Sequence, residues 1–277
     1  MIRDPRLLFL GTGTSSGVPA IGCDCKICLS EDPRDKRLRS SISVTWLDFV
    51  GEERRILIDT TPDLREQSLR NKIKKIDAVF FTHQHVDHTF GLDEIRRFNV
   101  TMGSPVDIYA ERNVLEYIKK TFGHIFYKRQ NHNQSFVANL IEHTVEPQIK
   151  KNIFGLSVTP IRLLHGRLPV LGYRFDAHEK IPGLFPMAYC TDVSSIPPET
   201  WNHLQGLELL VLDMLRERHH PTHMSLDRAV YTASQVGATQ TRFIHMSHDL
   251  GHSETNARLP EGMKLSFDGE SIFPFSK

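Results

Sequence analysis

Short apolar runs rich in β-branched and aromatic residues recur along the chain: Leu7 to Leu10, Ile42 to Trp46, Ile56 to Ile58, Ala78 to Phe81, Val106 to Tyr109, Phe154 to Ile161, Val170 to Phe175, Met187 to Cys190, Leu209 to Leu212 and Phe243 to Met246. Runs of this kind predict strands. Between several of them the spacing turns helical. Thr61-Pro62-Asp63 offers a cap, a proline at the first helical position and an acidic first turn. Gly91 to Phe98 puts Leu92, Ile95 and Phe98 on one face, and Ser225 to Val236 spaces Leu226, Ala229 and Val230 at helical intervals. Strands alternating with helices predict an α/β or layered α+β fold. No low-complexity stretch, detectable repeat or Pro/Gly/Ser-rich linker divides the sequence, so a single domain over residues 1–277 is expected. The segment 124–151 is the least regular, with the polar run Lys128-Arg129-Gln130-Asn131-His132-Asn133-Gln134, and reads as a loop or variable insertion.

The length alone allows one large domain or two small ones. Composition narrows the class: 39% hydrophobic residues can build a core, and 34 Lys+Arg against 33 Asp+Glu leave a net charge of +1. A dedicated nucleic-acid binder usually carries a clear basic excess, so no long nucleic acid is expected as a partner. No apolar run approaches the roughly 18 to 20 residues of a membrane helix, and Met1-Ile2-Arg3-Asp4-Pro5 does not read as a secretory signal. A soluble, cytoplasmic protein with no membrane partner is the expectation. Fifteen histidines stand out, as do four cysteines, three of them within six residues. A disulfide framework disperses its cysteines, so this crowding points to metal.

Thr82-His83-Gln84-His85-Val86-Asp87-His88 follows the apolar run Ile76 to Phe81 and places four potential ligands in six residues. On extended backbone His83 and His85 point the same way, while Asp87 and His88 lie beyond a bend and can face a second position. The spacing suits two adjacent metals and differs from the helical H-E-x-x-H arrangement, which serves one zinc. The run resembles the H-x-H-x-D-H hallmark of the metallo-β-lactamase superfamily of hydrolases. The likeness extends through His165 in Leu163-Leu164-His165-Gly166, Asp192 in Tyr189-Cys190-Thr191-Asp192 and His245 in Phe243-Ile244-His245-Met246. It implies a four-layered αββα sandwich, with one metal on His83, His85 and His165, a second on Asp87, His88 and His245, and Asp192 bridging them. Asp59 matches an early aspartate of the family that is usually structural.

Gly22-Cys23-Asp24-Cys25-Lys26-Ile27-Cys28 is a C-x-C-x-x-C loop at 22–28. A closed structural zinc needs four ligands, and His248, three residues after His245, is the best fourth. The opening Gly11-Thr12-Gly13-Thr14-Ser15-Ser16-Gly17-Val18-Pro19 with this cysteine run is very similar to the phosphoribosyl cyclic phosphodiesterases of the carbon–phosphorus lyase pathway, which have the same Cys-and-His arrangement. A dinucleotide reading of the glycines fails, because the spacing has one residue too many and a cysteine loop follows in place of a helix. A redox reading would expect an isolated C-x-x-C. Cys190 reads as a small buried residue.

Two metals about 3.5 to 4 Å apart lower the pKa of a shared water from about 15.7 towards 7, so a bridging hydroxide can attack phosphorus at neutral pH. Asp87 is placed to orient that nucleophile. His223, in His219-His220-Pro221-Thr222-His223, matches a histidine that related phosphodiesterases use near the scissile phosphate, and Asp213 can fix its tautomer and raise its pKa. The expected activity is hydrolysis of a small phosphodiester, cyclic or open, with two divalent ions (Zn²⁺, Mn²⁺ or Fe²⁺) and one structural zinc. The alternatives are a thioesterase or lactonase on the same metals, a tRNA 3′-processing nuclease, or a non-catalytic metal-binding protein. Family members often dimerise, so the resemblance also implies a homodimer.

Overall fold

The computed structural model describes residues 2–127 and 136–275; the polar run 128–134 lies outside the described residues. In chain order the strands and helices are β1 (Arg3–Gly11), β2 (Ser41–Leu47), β3 (Glu53–Ile58), α1 (Leu64–Arg70), β4 (Ala78–Phe80), α2 (Val86–Thr89), α3 (Ile95–Met102), β5 (Val106–Ala110), α4 (Arg112–Thr121), α5 (Gly123–Phe126) and β6 (Leu140–Thr144). There follow β7 (Lys151–Ile153), β8 (Leu156–His165), β9 (Leu168–Asp176), β10 (Met187–Cys190), β11 (Leu209–Asp213), α6 (Leu226–Val236), β12 (Gln240–Ile244), α7 (His252–Asn256), β13 (Met263–Leu265) and β14 (Ser271–Ile272).

These strands form two seven-stranded sheets, ordered β14-β1-β2-β3-β4-β5-β6 and β13-β12-β11-β10-β9-β8-β7. Leu7, Phe9, Ile42, Val44, Ile58 and Phe80 meet Leu171, Tyr173, Phe175, Met187, Tyr189 and Val211 between the sheets. Alternate residues point outward. Leu8, Leu10, Leu57, Val79 and Phe81 are covered by Leu64 of α1, Ile95 and Phe98 of α3, and Val114, Leu115 and Ile118 of α4. On the second sheet Leu163, Ala188, Cys190, Leu210, Leu212 and Phe243 are covered by Ala229, Ala233 and Val236 of α6. The result is the four-layered αββα sandwich. Burial on both faces is why β4, β10 and β11 are continuous apolar runs and do not alternate. Each fully buried Leu, Ile or Phe contributes about 1.5–3 kcal/mol.

The sequence shows no internal repeat, yet the topology does. β1 to β6 and β8 to β13 run through the same succession of pairings: two antiparallel steps, then three parallel ones. The third strand of each half, β3 and β10, is followed by an aspartate in left-handed backbone, Asp59 at φ 65° and Asp192 two residues beyond β10 at φ 52°. Loops after the carboxyl ends of parallel strands from both halves therefore converge on one edge of the sandwich.

The segment 124–151 differs from its expected loop character. β6 pairs in parallel with β5 over five residues and forms the edge of the first sheet. An edge strand with much of its surface exposed (Ile141 44%) has no two-sided apolar run to announce it. Smaller shifts have local causes. Phe154 and Gly155 turn the chain with positive φ before β8 begins, and Thr61 Oγ1 accepts from the Asp63 amide, so α1 starts at Leu64. Phe243 to Met246 also overruns β12, which ends at Ile244 because His245 takes φ 64°.

Candidate metal centre

The expected ligands come together at the convergent edge. Ligand atoms of His83, His85, His165 and Asp192 lie within 4.8 Å of one another, as do those of Asp87, His88 and His245. Asp192 stands between the two groups. Its Oδ2 is 3.9 Å from Nε2 of both His83 and His165, and its Oδ1 is 3.2 Å from Nε2 of His88 and 3.4 Å from Nε2 of His245. Each carboxylate oxygen thus faces one histidine group.

The elements explain the placement. β4 ends at Phe80, and an irregular stretch leads to α2, which begins at Val86, so His83 and His85 precede the helical turn on which Asp87 and His88 ride. His165 closes β8, and His245 follows β12. Partners fix which nitrogen faces the centre. His88 Nδ1 is 2.7 Å from Asp59 Oδ2, His165 Nδ1 donates to the Thr222 carbonyl at 2.7 Å, and His83 Nδ1 is 2.9 Å from Thr82 Oγ1. Asp59 also accepts from the Thr82 amide and hydroxyl, so it acts through His88 and does not itself reach the centre. Such outer partners fix tautomer and ring orientation.

The donor set fits divalent ions. His83 Nε2 and His245 Nε2 are buried and have no hydrogen-bond partner among the described residues, an arrangement costly for polar atoms without a ligand. Burial holds the pKa of the His83 and His245 imidazoles below its ordinary value. Burial pushes the Asp192 carboxyl up, but His245 and His88 outweigh it and keep it well below the usual range. Neutral imidazole and ionised carboxylate are the forms that bind metal.

His223 lies over both groups. Its ring centroid is 4.5 Å from that of His165 and 4.6 Å from that of His245, and its Nδ1 is 2.6 Å from Asp213 Oδ2. Burial disfavours its charged form, but the charge and hydrogen bond of Asp213 win and lift the pKa to about 9. A cavity of about 540 Å³ opens on the centre, lined by His85, Asp87, His165, Asp192, His223 and His245 together with Ser15, Gln84, Val86 and Tyr117. The last four were not singled out from the sequence. Nothing in their spacing marks them, since Ser15 and Tyr117 reach the mouth only through the fold.

Cys23, Cys25 and Cys28 surround His248, whose Nδ1 is 3.1, 3.4 and 3.4 Å from the three sulfurs. A tetrahedron with Zn–S of about 2.3 Å and Zn–N of about 2.0–2.1 Å has an S···N edge of roughly 3.5 Å. The cluster fits that ion. Cys190 is fully buried in β10, with its thiol pushed up to about 12, as an inert core residue.

Fold and site together define a metallohydrolase-type αββα sandwich. A sequence model described as the beta-lactamase superfamily domain matches residues 54–246, and the chain belongs to that superfamily. It is also similar to a diphosphatase of the PhnP family, 41% identical with a TM-score of 0.85 over 98% of each chain, in keeping with the phosphodiesterase resemblance of its amino-terminal motifs. The Zn²⁺-bound PqqB of Methylobacterium extorquens has the same fold at 18% identity, with a TM-score of 0.74 over 96% of this chain and 99% of that one. A protein of Porphyromonas gingivalis strain W83 named octanoyltransferase is 37% identical over 95% of this chain but only 50% of its own length. The chain spans about half or less of the curated relatives it matches. Among the described residues no helix is long and apolar enough to cross a membrane.

Proposed function

We propose that the protein is a dinuclear metal-dependent hydrolase of small phosphodiesters. The observation that carries this reading is the division of Asp192 between two histidine groups with an Asp213-supported imidazole above both. The likeness to a diphosphatase supports phosphoryl chemistry. His83, His85 and His165 would hold one ion, Asp87, His88 and His245 the other, with Asp192 shared; Zn²⁺ and Mn²⁺ both suit these donors. When bound, such a pair activates a water and neutralises charge on phosphoryl oxygens.

The chain's own residues supply the remaining steps. Asp87 accepts a hydrogen bond from the attacking water and turns its lone pair towards phosphorus. His223, kept protonated by Asp213, donates a proton to the departing ester oxygen. Thr222 holds His165 from behind, and Asp59 does the same for His88. Net charge near zero suits a small substrate better than a long nucleic acid. The Cys23, Cys25, Cys28 and His248 cluster takes a structural zinc.

A thioesterase is the second reading, favoured by the half-length match to a protein named for octanoyl transfer. One screen separates the two. The purified protein with Mn²⁺ or Zn²⁺ should hydrolyse bis(p-nitrophenyl) phosphate and lose this on Asp192→Ala, and it should prefer phosphodiesters to octanoyl thioesters. Faster thioester turnover supports the second reading, and full activity after chelator treatment contradicts both.

A further inference from the structure

The two metal clusters share one short piece of chain. His245 belongs to the candidate catalytic centre and His248, three residues on, to the thiolate cluster. Between them the backbone is held unusually firmly. His245 takes φ 64°, a left-handed conformation that is strained for a non-glycine residue and persists only where neighbours enforce it. Before the turn, the Met246 amide donates to the Thr12 carbonyl at 3.0 Å, the Thr14 amide to the Met246 carbonyl at 3.1 Å and the Ser247 amide to the Leu215 carbonyl at 2.8 Å.

The turn itself is gripped by Arg37. This arginine is 2% exposed, and its guanidinium donates to the Ser247 carbonyl at 2.8 Å and the Leu250 carbonyl at 2.5 Å, one on each side of His248. Its second contact from Nη2, at 3.0 Å, is to Asp35 Oδ1, which also accepts from the His252 amide at 2.8 Å. Arg37 is joined in turn to the glycine-rich loop by mutual backbone hydrogen bonds with Val18, 2.7 and 2.9 Å long. A buried arginine is rare, and this one spends its fork on backbone of the ligand-bearing turn.

We propose that Arg37 is a positioning residue for His245, and that it and the thiolate cluster form one clamp on residues 247–250 that sets metal affinity at the Asp87, His88 and His245 position. The sulfurs hold His248 from one side of the turn and the guanidinium holds the carbonyls flanking it. Releasing either lets the strained backbone at His245 relax and withdraws its imidazole from the centre. The His83, His85 and His165 position, built on β4 and β8, has no such dependence.

The inference rests on the dinuclear reading, and calorimetric titration of Mn²⁺ into protein stripped of catalytic ions but retaining its thiolate zinc distinguishes the two. Wild-type protein should show two catalytic binding steps, and His245→Ala identifies the step that depends on this residue. Arg37→Lys keeps the charge opposite Asp35 but cannot bridge both carbonyls. It should weaken the His245-dependent step about 10- to 100-fold while leaving the other in place, and excess Mn²⁺ should restore kcat. Cys25→Ser should weaken the same step. If Arg37→Lys lowers both steps equally, or neither, or lowers only the melting temperature, the clamp is wrong although the dinuclear reading stands. A single catalytic step in wild-type protein overturns both.

Discussion

Asp213→Asn tests the proposed proton donor, His223, separately from the metal ligands. Asp213 is fully buried, with Oδ2 2.6 Å from His223 Nδ1 and also accepting from the Val193 amide at 3.2 Å. Burial alone would push the imidazole below its ordinary 6.5, yet the carboxylate brings it to about 9. That rise corresponds to roughly 3 kcal/mol in favour of the imidazolium. Because the folded pKa is above the unfolded one, this stabilisation is complete below pH 6.5 and is lost as pH rises through about 9. Asparagine removes the charge and leaves the burial, so the pKa falls. Bound cations lower the value in both proteins, so the quantity to read is the difference between them. In pH profiles of kcat/KM with an alkyl phosphodiester, the alkaline limb should move down by at least about one pH unit, with kcat at pH 8 falling about 10- to 100-fold. A p-nitrophenyl ester, whose leaving group needs little proton donation, should suffer less. In metal-free protein the wild type should lose more stability between pH 6.5 and 9 than the variant, the raised His88 being common to both. An unmoved limb, equal losses for both esters and parallel stability curves would refute the assignment of His223 as acid.

Three further substitutions probe other parts of the account. Asp59→Asn turns an acceptor facing His88 Nδ1 into a possible donor, favouring the wrong tautomer, and should lower metal retained after dialysis about 10- to 100-fold. Cys25→Ser should reduce bound zinc by about one per chain and lower the melting temperature; unchanged metal content would remove the structural zinc. Gly91 directly follows the turn that carries Asp87 and His88, and a Cβ there would lie 2.0 Å from the Thr61 carbonyl oxygen. Gly91→Ala should therefore cost about 1–3 kcal/mol in denaturant melts and weaken metal binding, whereas stability equal to wild type would show that the loop gives way freely.

The sequence made several central strands readable because both faces are buried, so β1, β10 and β11 carry unbroken apolar runs, while β2 announces itself by alternating Ile42, Val44 and Trp46. The edge strand β6 and the short β7, β13 and β14 lack that signal and are ordered by pairing with their neighbours. α4 is faint in the sequence although Val114, Leu115 and Ile118 mark one face, because the surrounding Arg112, Asn113, Glu116, Lys119 and Lys120 dilute it. In the site, the H-x-H-x-D-H run was legible because metal chemistry demands those residue types at close spacing. What escaped is what the chain supplies from a distance. The Thr222 carbonyl behind His165 has no side-chain signature, and nothing in the residues around Arg37 marks it for burial. The duplicated topology was hidden too, because it is carried by backbone pairing and by left-handed aspartates whose neighbours differ.

The central claim is that Asp192 joins two metal positions in one hydrolytic site, and electron paramagnetic resonance of the Mn²⁺-loaded protein tests it most directly. Two ions sharing a carboxylate at about 3.5–4 Å should give an exchange-coupled spectrum that grows in step with phosphodiesterase activity, and Asp192→Ala should abolish both. An uncoupled single-ion spectrum in fully active protein would contradict it.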